Sequence, residues 1–202
     1  FTDELGSYRY ETMIYNRQLD MNRTILSEEE TRRAGYMRTP FDSRPAEDLV
    51  QNGFVQDDGQ ERLYFAPNAA VLLSDVFLDT HCFRLARSDD GSGNMIGLQF
   101  EPTGENKRVP DIAGTMWLDT ETAELLWLEF RYEYVDQDIS SRDVGGRGDF
   151  RRMPTGAWIV SDWWIRMPVI AQQVDYQGVP RRFVKGSHET GGRVLEVREA
   201  GG

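Results

Sequence analysis

Between residues 126 and 134 the chain sets Leu126, Leu128, Phe130, Tyr132 and Tyr134 at every second position, against Glu129, Arg131 and Glu133. Successive side chains of a strand point to opposite sides of a sheet, so a period of two marks a strand with one apolar and one charged face. The pattern recurs between turn signals. Residues 83–86 lead into Asp89-Asp90-Gly91-Ser92-Gly93-Asn94, after which Ile96, Leu98 and Phe100 alternate with Gly97 and Gln99, predicting a hairpin. Residues 112–118 predict another strand, followed by a turn at Asp119-Thr120-Glu121-Thr122. Segments 150–153, 158–167, 171–176, 181–185 and 194–198 complete a meander joined at Pro-Thr-Gly, Gln-Gly and Gly-Gly turns. Short loops force antiparallel pairing, because parallel neighbours need crossovers of about a dozen residues or more. The expected fold is mainly β (α+β), one large curved antiparallel sheet or half-barrel with a few short helices and bends at Gly97, Gly114 and Gly156.

The first half reads differently. Residues 8–19 are compatible with a strand or with an arm lying on another element. Ser27 and Glu30 form a capping box and Gly35 supplies a left-handed stop, which predicts a short helix. Pro45, Glu47 and Asp48 open a second helix that Asn52-Gly53 ends. A small hairpin around Asp57-Asp58-Gly59 and a helix-turn over 67–79 follow. Residues 137–148, with three glycines and paired serines, read as a mobile loop. With no internal repeat or low-complexity linker, the expected organisation is an N-terminal arm over 1–25 and a single curved-sheet domain over 26–202.

Composition narrows the partners. Five Trp, ten Phe and eight Tyr supply too much apolar surface for a disordered chain. No run approaches eighteen apolar residues, so no helical transmembrane span is expected. The chain starts at Phe1 without a signal-peptide pattern, so Phe1 is taken as a processed end or an artificial boundary. A net charge of -11 opposes phosphate backbones and anionic lipid headgroups, which excludes nucleic acid as an expected partner. The charge is uneven: residues 1–141 carry 13 basic and 27 acidic residues, and 142–198 carry 10 and 6. Arg142, Arg147, Arg151, Arg152, Arg166, Arg181 and Arg182 offer guanidinium forks for carboxylates, or simply solvate the ends of strands.

Catalytic patterns are missing from the sequence. His81 and His188 are the only histidines and neither has a second ligand at metal-binding spacing. Cys82 is the single cysteine and is expected as a buried structural thiol; its neighbour His81 points to the other side of a strand and cannot activate it. Asp79-Thr80-His81 reads as pinning of the strand entry. There is no nucleophile elbow, phosphate loop or dinucleotide fingerprint, and Gly145-Gly146-Arg147-Gly148 lacks the strand-to-helix context for one. Arg147-Gly148-Asp149 spells an adhesion tripeptide in the expected loop. No catalytic residue, cofactor or metal is therefore expected. The tryptophans carry the stronger signal. Trp127 faces away from Leu126, Leu128 and Phe130, and adjacent Trp163 and Trp164 must point oppositely, so at least two indoles leave the main core face. The expected partner-binding residues are Trp127, Trp163, Trp164, Arg151, Arg152, Arg181 and Arg182.

The segment from Leu63-Tyr64-Phe65-Ala66-Pro67 to His81-Cys82-Phe83 resembles a signature of bacterial carboxypeptidase regulatory-like domain-containing proteins. So do Ile96-Gly97-Leu98-Gln99-Phe100-Glu101-Pro102, Pro110-Asp111-Ile112-Ala113-Gly114-Thr115-Met116-Trp117-Leu118-Asp119, Leu128-Glu129-Phe130-Arg131-Tyr132 and Pro154-Thr155-Gly156-Ala157-Trp158-Ile159-Val160. The resemblance is to the C-terminal region of that family and covers roughly residues 46 to 167 of this chain. The immunoglobulin-like module that names the family has no counterpart in this sequence. The resemblance implies an exported cell-envelope protein with no established catalytic residues to carry over. The strands Gly97-Leu98-Gln99-Phe100-Glu101-Pro102 and Gly114-Thr115-Met116-Trp117-Leu118-Asp119 also look like the half-barrel of periplasmic lipoprotein carriers, a likeness of fold only.

The expected function is a non-enzymatic exported protein-binding or assembly subunit, periplasmic or on the outer face of a bacterial membrane. Its partner would be an envelope or membrane-complex protein, for instance in a respiratory or photosynthetic assembly to which it is extrinsic. The alternative is a periplasmic carrier of a lipid or other apolar ligand in the concavity of the sheet, and the third is a hydrolase.

Overall fold

Nine antiparallel strands share one curved sheet that does not close on itself. The structure, a computed structural model, describes residues 8–35, 43–57, 62–87, 94–104, 108–135, 144–153, 156 and 158–199. In chain order the strands are β1 (Tyr8–Leu19) and β2 (Ile25–Gly35), then after helix α1 (Ala46–Asn52) the short β3 (Val55–Asp57) and β4 (Arg62–Tyr64). Helices α2 (Ala69–Leu72) and α3 (Asp75–Thr80) lead directly into β5 (His81–Arg87). There follow β6 (Met95–Pro102), β7 (Asp111–Asp119), β8 (Leu125–Glu133), β9 (Gly145–Arg152), β10 (Trp158–Val174) and β11 (Pro180–Glu199). From β5 to β11 each strand pairs with the next, β1 then pairs with β11 and β2 with β1, so β5 and β2 are the two edges. β3 and β4 form a separate hairpin.

All three helices and this hairpin pack on one face. Leu49, Phe54, Val71 and Phe77 from the cover meet Phe100, Ile112, Leu128 and Tyr132 from the sheet, and most of these side chains are fully buried. Each such side chain contributes roughly 1.5–3 kcal/mol of transfer free energy, so short helices of modest intrinsic propensity are held by their cargo. The starts of α2 and α3 are capped. The Asn68 side chain accepts from the Val71 amide at 2.9 Å and Ser74 Oγ from the Phe77 amide at 3.3 Å. Gly53 ends α1 at φ 91°, and a Cβ there would fall 2.8 Å from the Pro110 carbonyl oxygen. Tyr132 donates its hydroxyl proton to the Phe65 carbonyl at 3.1 Å, tying the cover to β8, and burial pushes its phenol pKa well above the usual range.

Four local expectations are corrected. The helix expected over 27–35 is strand β2: it pairs with β1 across a turn in which Asp20 Oδ1 accepts from the Asn22 and Thr24 amides. The capping-box residues were helix-compatible, but β2 is exposed on both faces, so no burial pattern advertised the strand. The Gly191-Gly192 turn is instead the middle of a 20-residue strand, and the break expected near 168–170 is a bulge between Val169 and Ile170 within a continuous β10. The glycine-rich end of the expected mobile loop is β9, led by a buried Val144. The rest of that loop, with Arg142, and the turn residues Asp58, Gly59 and 89–93 lie outside the described residues. Residues 8–19 form a strand bonded along its length on both sides, between β11 and β2.

Candidate partner-binding site

The face of the sheet opposite the helices carries the unused aromatic surface, and strand register sets it out in transverse rows. In one row Asp149, Trp127, Trp117 and Gly97 are successive cross-strand partners from β9 to β6. In the next, Tyr15, Gly191, Trp164, Arg147 and Glu129 run from β1 to β8. A third row, Glu28, Arg17, Glu189 and Arg166, alternates in charge across β2, β1, β11 and β10. Glu129 and Gln99 on this face are exposed, while the three indoles are half-buried by their neighbours.

Those neighbours are mainly guanidinium groups. Trp117 and Trp127 stack with ring centroids 5.7 Å apart, and the Arg147 guanidinium lies 5.0 Å over the Trp127 ring. Arg166 lies 4.6 Å over Trp164, and Arg17 lies 4.0 Å over Tyr15. Carboxylates hold these cations in place. Asp149 takes Arg147 through both oxygens, at 2.6 and 2.9 Å, and Glu129 takes its Nη1 at 2.7 Å. Hydrogen bonding to Asp149 raises the Arg147 pKa, so the charge is permanent. Trp127 Nε1 is buried and donates to no acceptor among the described residues. Burial first, and then the Glu189 carboxylate, push the Tyr15 phenol up to about 12.

Of the expected site residues, register brings Trp164 beside Arg147 and so next to Trp127. Trp163 points the other way into the core, 6% exposed, over Gly192. Arg151 and Arg152 are exposed opposite the start of β10, and Arg181 and Arg182 opposite its far end. Fourteen residues separate their β10 partners Trp158 and Gln172, roughly 45 Å of strand, so these arginines do not form one patch. Arg152 pairs with Glu124 and Arg181 with Asp175. Arg147-Gly148-Asp149 is no loop tripeptide: it lies in β9 with its two charged side chains bound to each other. Tyr15, Arg17 and Glu189 complete the face from β1 and β11, and only the pairing of those distant strands reveals them.

The two candidate chemical groups separate as expected from strand alternation. His81 is buried in the core, stacked on Phe77 at 3.8 Å, with Nδ1 3.0 Å from the Phe77 carbonyl oxygen and Nε2 3.2 Å from that of Ile112. Cys82 is exposed on the other side, a correction to the buried thiol expected from its apolar neighbours, because those neighbours alternate away from it. Among the described residues no group of three or more His, Cys, Asp and Glu side chains is arranged to hold a metal ion, and no helix is long and apolar enough to cross a membrane. On the helix side, a groove of about 480 Å³ runs between β4 and the ends of β10 and β11, lined by Arg62, Tyr64, Met167, Ile170, Arg182 and His188.

No family model and no curated protein matches this chain. Among solved structures, an outer membrane lipoprotein-sorting protein domain from Vibrio parahaemolyticus is similar at 12% identity and a TM-score of 0.39, over 99% of this chain and 88% of that one. A likeness of this degree transfers no residue and no role.

Proposed function

We propose that this protein is a non-enzymatic binding domain that docks a protein partner on the helix-free face of its sheet. The observation that carries the proposal is the arrangement of Trp117, Trp127 and Trp164 on that face, each indole half-buried and two of them under arginines. Trp and Arg are the residue types that dominate binding energy at protein interfaces, and here they are immobilised before a partner arrives, which lowers the entropy cost of association. A partner carbonyl or carboxylate that reaches the Trp127 N–H supplies the acceptor it lacks among the described residues. The resemblance to carboxypeptidase regulatory-like domain-containing proteins supports an exported, cell-envelope setting, periplasmic or on the outer face of a bacterial membrane. Within it, an extrinsic position on a multi-subunit membrane complex suits a chain with this face.

The test is quantitative binding of solubilised envelope complexes to the immobilised chain and to its Trp127→Ala and Trp164→Ala variants. Each substitution is expected to weaken capture of the same partner by roughly 30-fold, the equivalent of about 2 kcal/mol for a central tryptophan. Equal capture by all three proteins would refute the proposal.

The groove on the helix side favours a second reading, a carrier. Tyr64, Met167 and Ile170 offer apolar contact beside the cationic Arg62 and Arg182, which suits an amphiphile with an anionic head. Native mass spectrometry of protein purified without detergent distinguishes the readings: a stoichiometric bound lipid supports the carrier, and its absence removes it.

A further inference from the structure

Strand β2 is a sheet edge exposed along almost its whole length, and its outer backbone groups have no further strand of the sheet beside them. An edge of this length is a template for another strand unless its charges forbid pairing. The centre of β2 reads Glu29-Glu30-Thr31-Arg32-Arg33, which is antisymmetric in charge about Thr31.

We infer that β2 pairs with β2 of a second copy of this chain, antiparallel and with Thr31 opposite Thr31, to make a two-fold dimer with one continuous sheet. An antiparallel pair of identical edges is related by a two-fold axis perpendicular to the sheet, so paired residues must lie on the same face and their numbers must sum to an even value. The register through Thr31 meets that condition. It sets Glu30 opposite Arg32 and Glu29 opposite Arg33, each twice, with a threonine pair on the axis, all favourable cross-strand combinations. Shifting the register to centre on Glu30 sets that glutamate against itself.

The remaining charges fit the same register. Glu28 is bound by Arg17 of its own sheet at 2.5 Å, and in the dimer it faces Ala34, which asks nothing of it. Glu29, Glu30 and Arg33 make no ion pair among the described residues. Arg32 has only a 3.8 Å approach to Glu11, with its own side chain 74% exposed. The other edge, β5, carries Arg84 and Arg87 and no acidic residue, so it has no such self-complementarity. A perpendicular two-fold also presents both helix-free faces on the same side of the dimer.

Sedimentation equilibrium on the full chain tests this with paired charge reversals. Wild type is expected to be dimeric at low salt, with a dissociation constant that rises roughly tenfold by half-molar salt as exposed pairs are screened. Glu29→Arg with Glu30→Arg sets arginine against arginine at every charged position, and Arg32→Glu with Arg33→Glu sets glutamate against glutamate. Each double variant is expected to be monomeric alone, and an equimolar mixture to form a one-to-one heterodimer. A monomeric wild type, variants that dimerise alone, or a mixture of folded variants that stays monomeric would each overturn the inference. Thr31→Cys in a Cys82→Ser background gives an independent check, because either kind of directly opposed antiparallel pair holds its Cα atoms within disulfide reach. Mild oxidation is expected to give a covalent dimer, and its failure would also overturn the register.

Discussion

The Tyr15 ring lies against Gly191, its direct cross-strand partner, so closely that a Cβ on Gly191 would overlap the ring's Cζ and hydroxyl oxygen. Gly192 next to it does the same on the other face, where its cross-strand partner Trp163 brings Nε1 to 2.7 Å from the position a Cβ would take. Gly146 seats Phe130 in the same way, with Cζ 2.5 Å from that position. Glycines within strands, two in the middle of β11 and one near the start of β9, are here the seats of aromatic rings, which cover the exposed backbone and replace the missing side-chain packing.

Gly191→Ala is therefore expected to lower stability by about 1–3 kcal/mol, the cost of overpacking a fixed ring against backbone. Thermal or urea denaturation checks it. Tyr15→Ala in the same chain removes the ring overlap but leaves the Trp163 carbonyl oxygen 2.6 Å from the new Cβ, so the double variant is expected to lose less than the sum of the two single effects while Gly191→Ala stays destabilising on its own.

Glu189 sits 5% exposed between two arginines, with Arg166 Nη2 at 2.5 Å and Arg17 Nη1 at 3.5 Å. Glu189→Ala leaves Arg166, itself only 16% exposed, without its carboxylate and is expected to cost roughly 3 kcal/mol in urea denaturation. Arg17→Ala removes the longer contact to Glu189 together with the part-exposed pair to Glu28 and the cover over Tyr15, but leaves no buried charge unpaired, and is expected to cost less than Glu189→Ala.

Alkaline pH is expected to destabilise the fold through two phenols. Tyr15 is pushed up to about 12, first by burial and then by Glu189, and Tyr132 well above the usual phenol range, first by burial and then by the neighbouring Tyr64. A folded-state pKa above the unfolded value near 10 means full stability below that pH, lost as pH rises from 10 toward 12. Urea midpoints measured across that window should fall, and Tyr15→Phe should flatten the fall. Absorbance at 295 nm should show two tyrosines ionising only at the upper end of the window or on unfolding.

Cys82 is exposed on edge strand β5, so the native protein should react with one equivalent of an aromatic disulfide reagent without denaturant. Reaction only after unfolding would contradict its placement.

These contacts also mark where the sequence is legible. Alternation makes β6 and β8 legible because each has one face packed under the helices and a second, more polar face, and it separates Trp163 from Trp164 and Trp127 from Phe130 for the same reason; β7 is covered on both faces, with Ala113 buried opposite Ile112. β2 has no buried face, so its helix-compatible local signals go uncontested in the sequence. Gly-Gly in β11 carries the composition of a turn, and only Tyr15 and Trp163, distant in sequence, reveal it as a seat for rings. Trp127 and Trp164 are readable as surface candidates, but their link through Arg147, which pairs with Trp164 in one row and lies over Trp127 in the next, depends on the β8, β9 and β10 register, which local composition does not encode.

A photo-crosslinking residue at Glu129, which sits exposed beside Arg147 and Trp127, tests the docking face in the native envelope, with the same residue at exposed Leu78 on α3 as the control. The account predicts one discrete protein adduct from position 129, lost when Trp127 and Trp164 are both replaced by alanine, and none from position 78. No adduct at 129, or the same adduct from both positions, would contradict it.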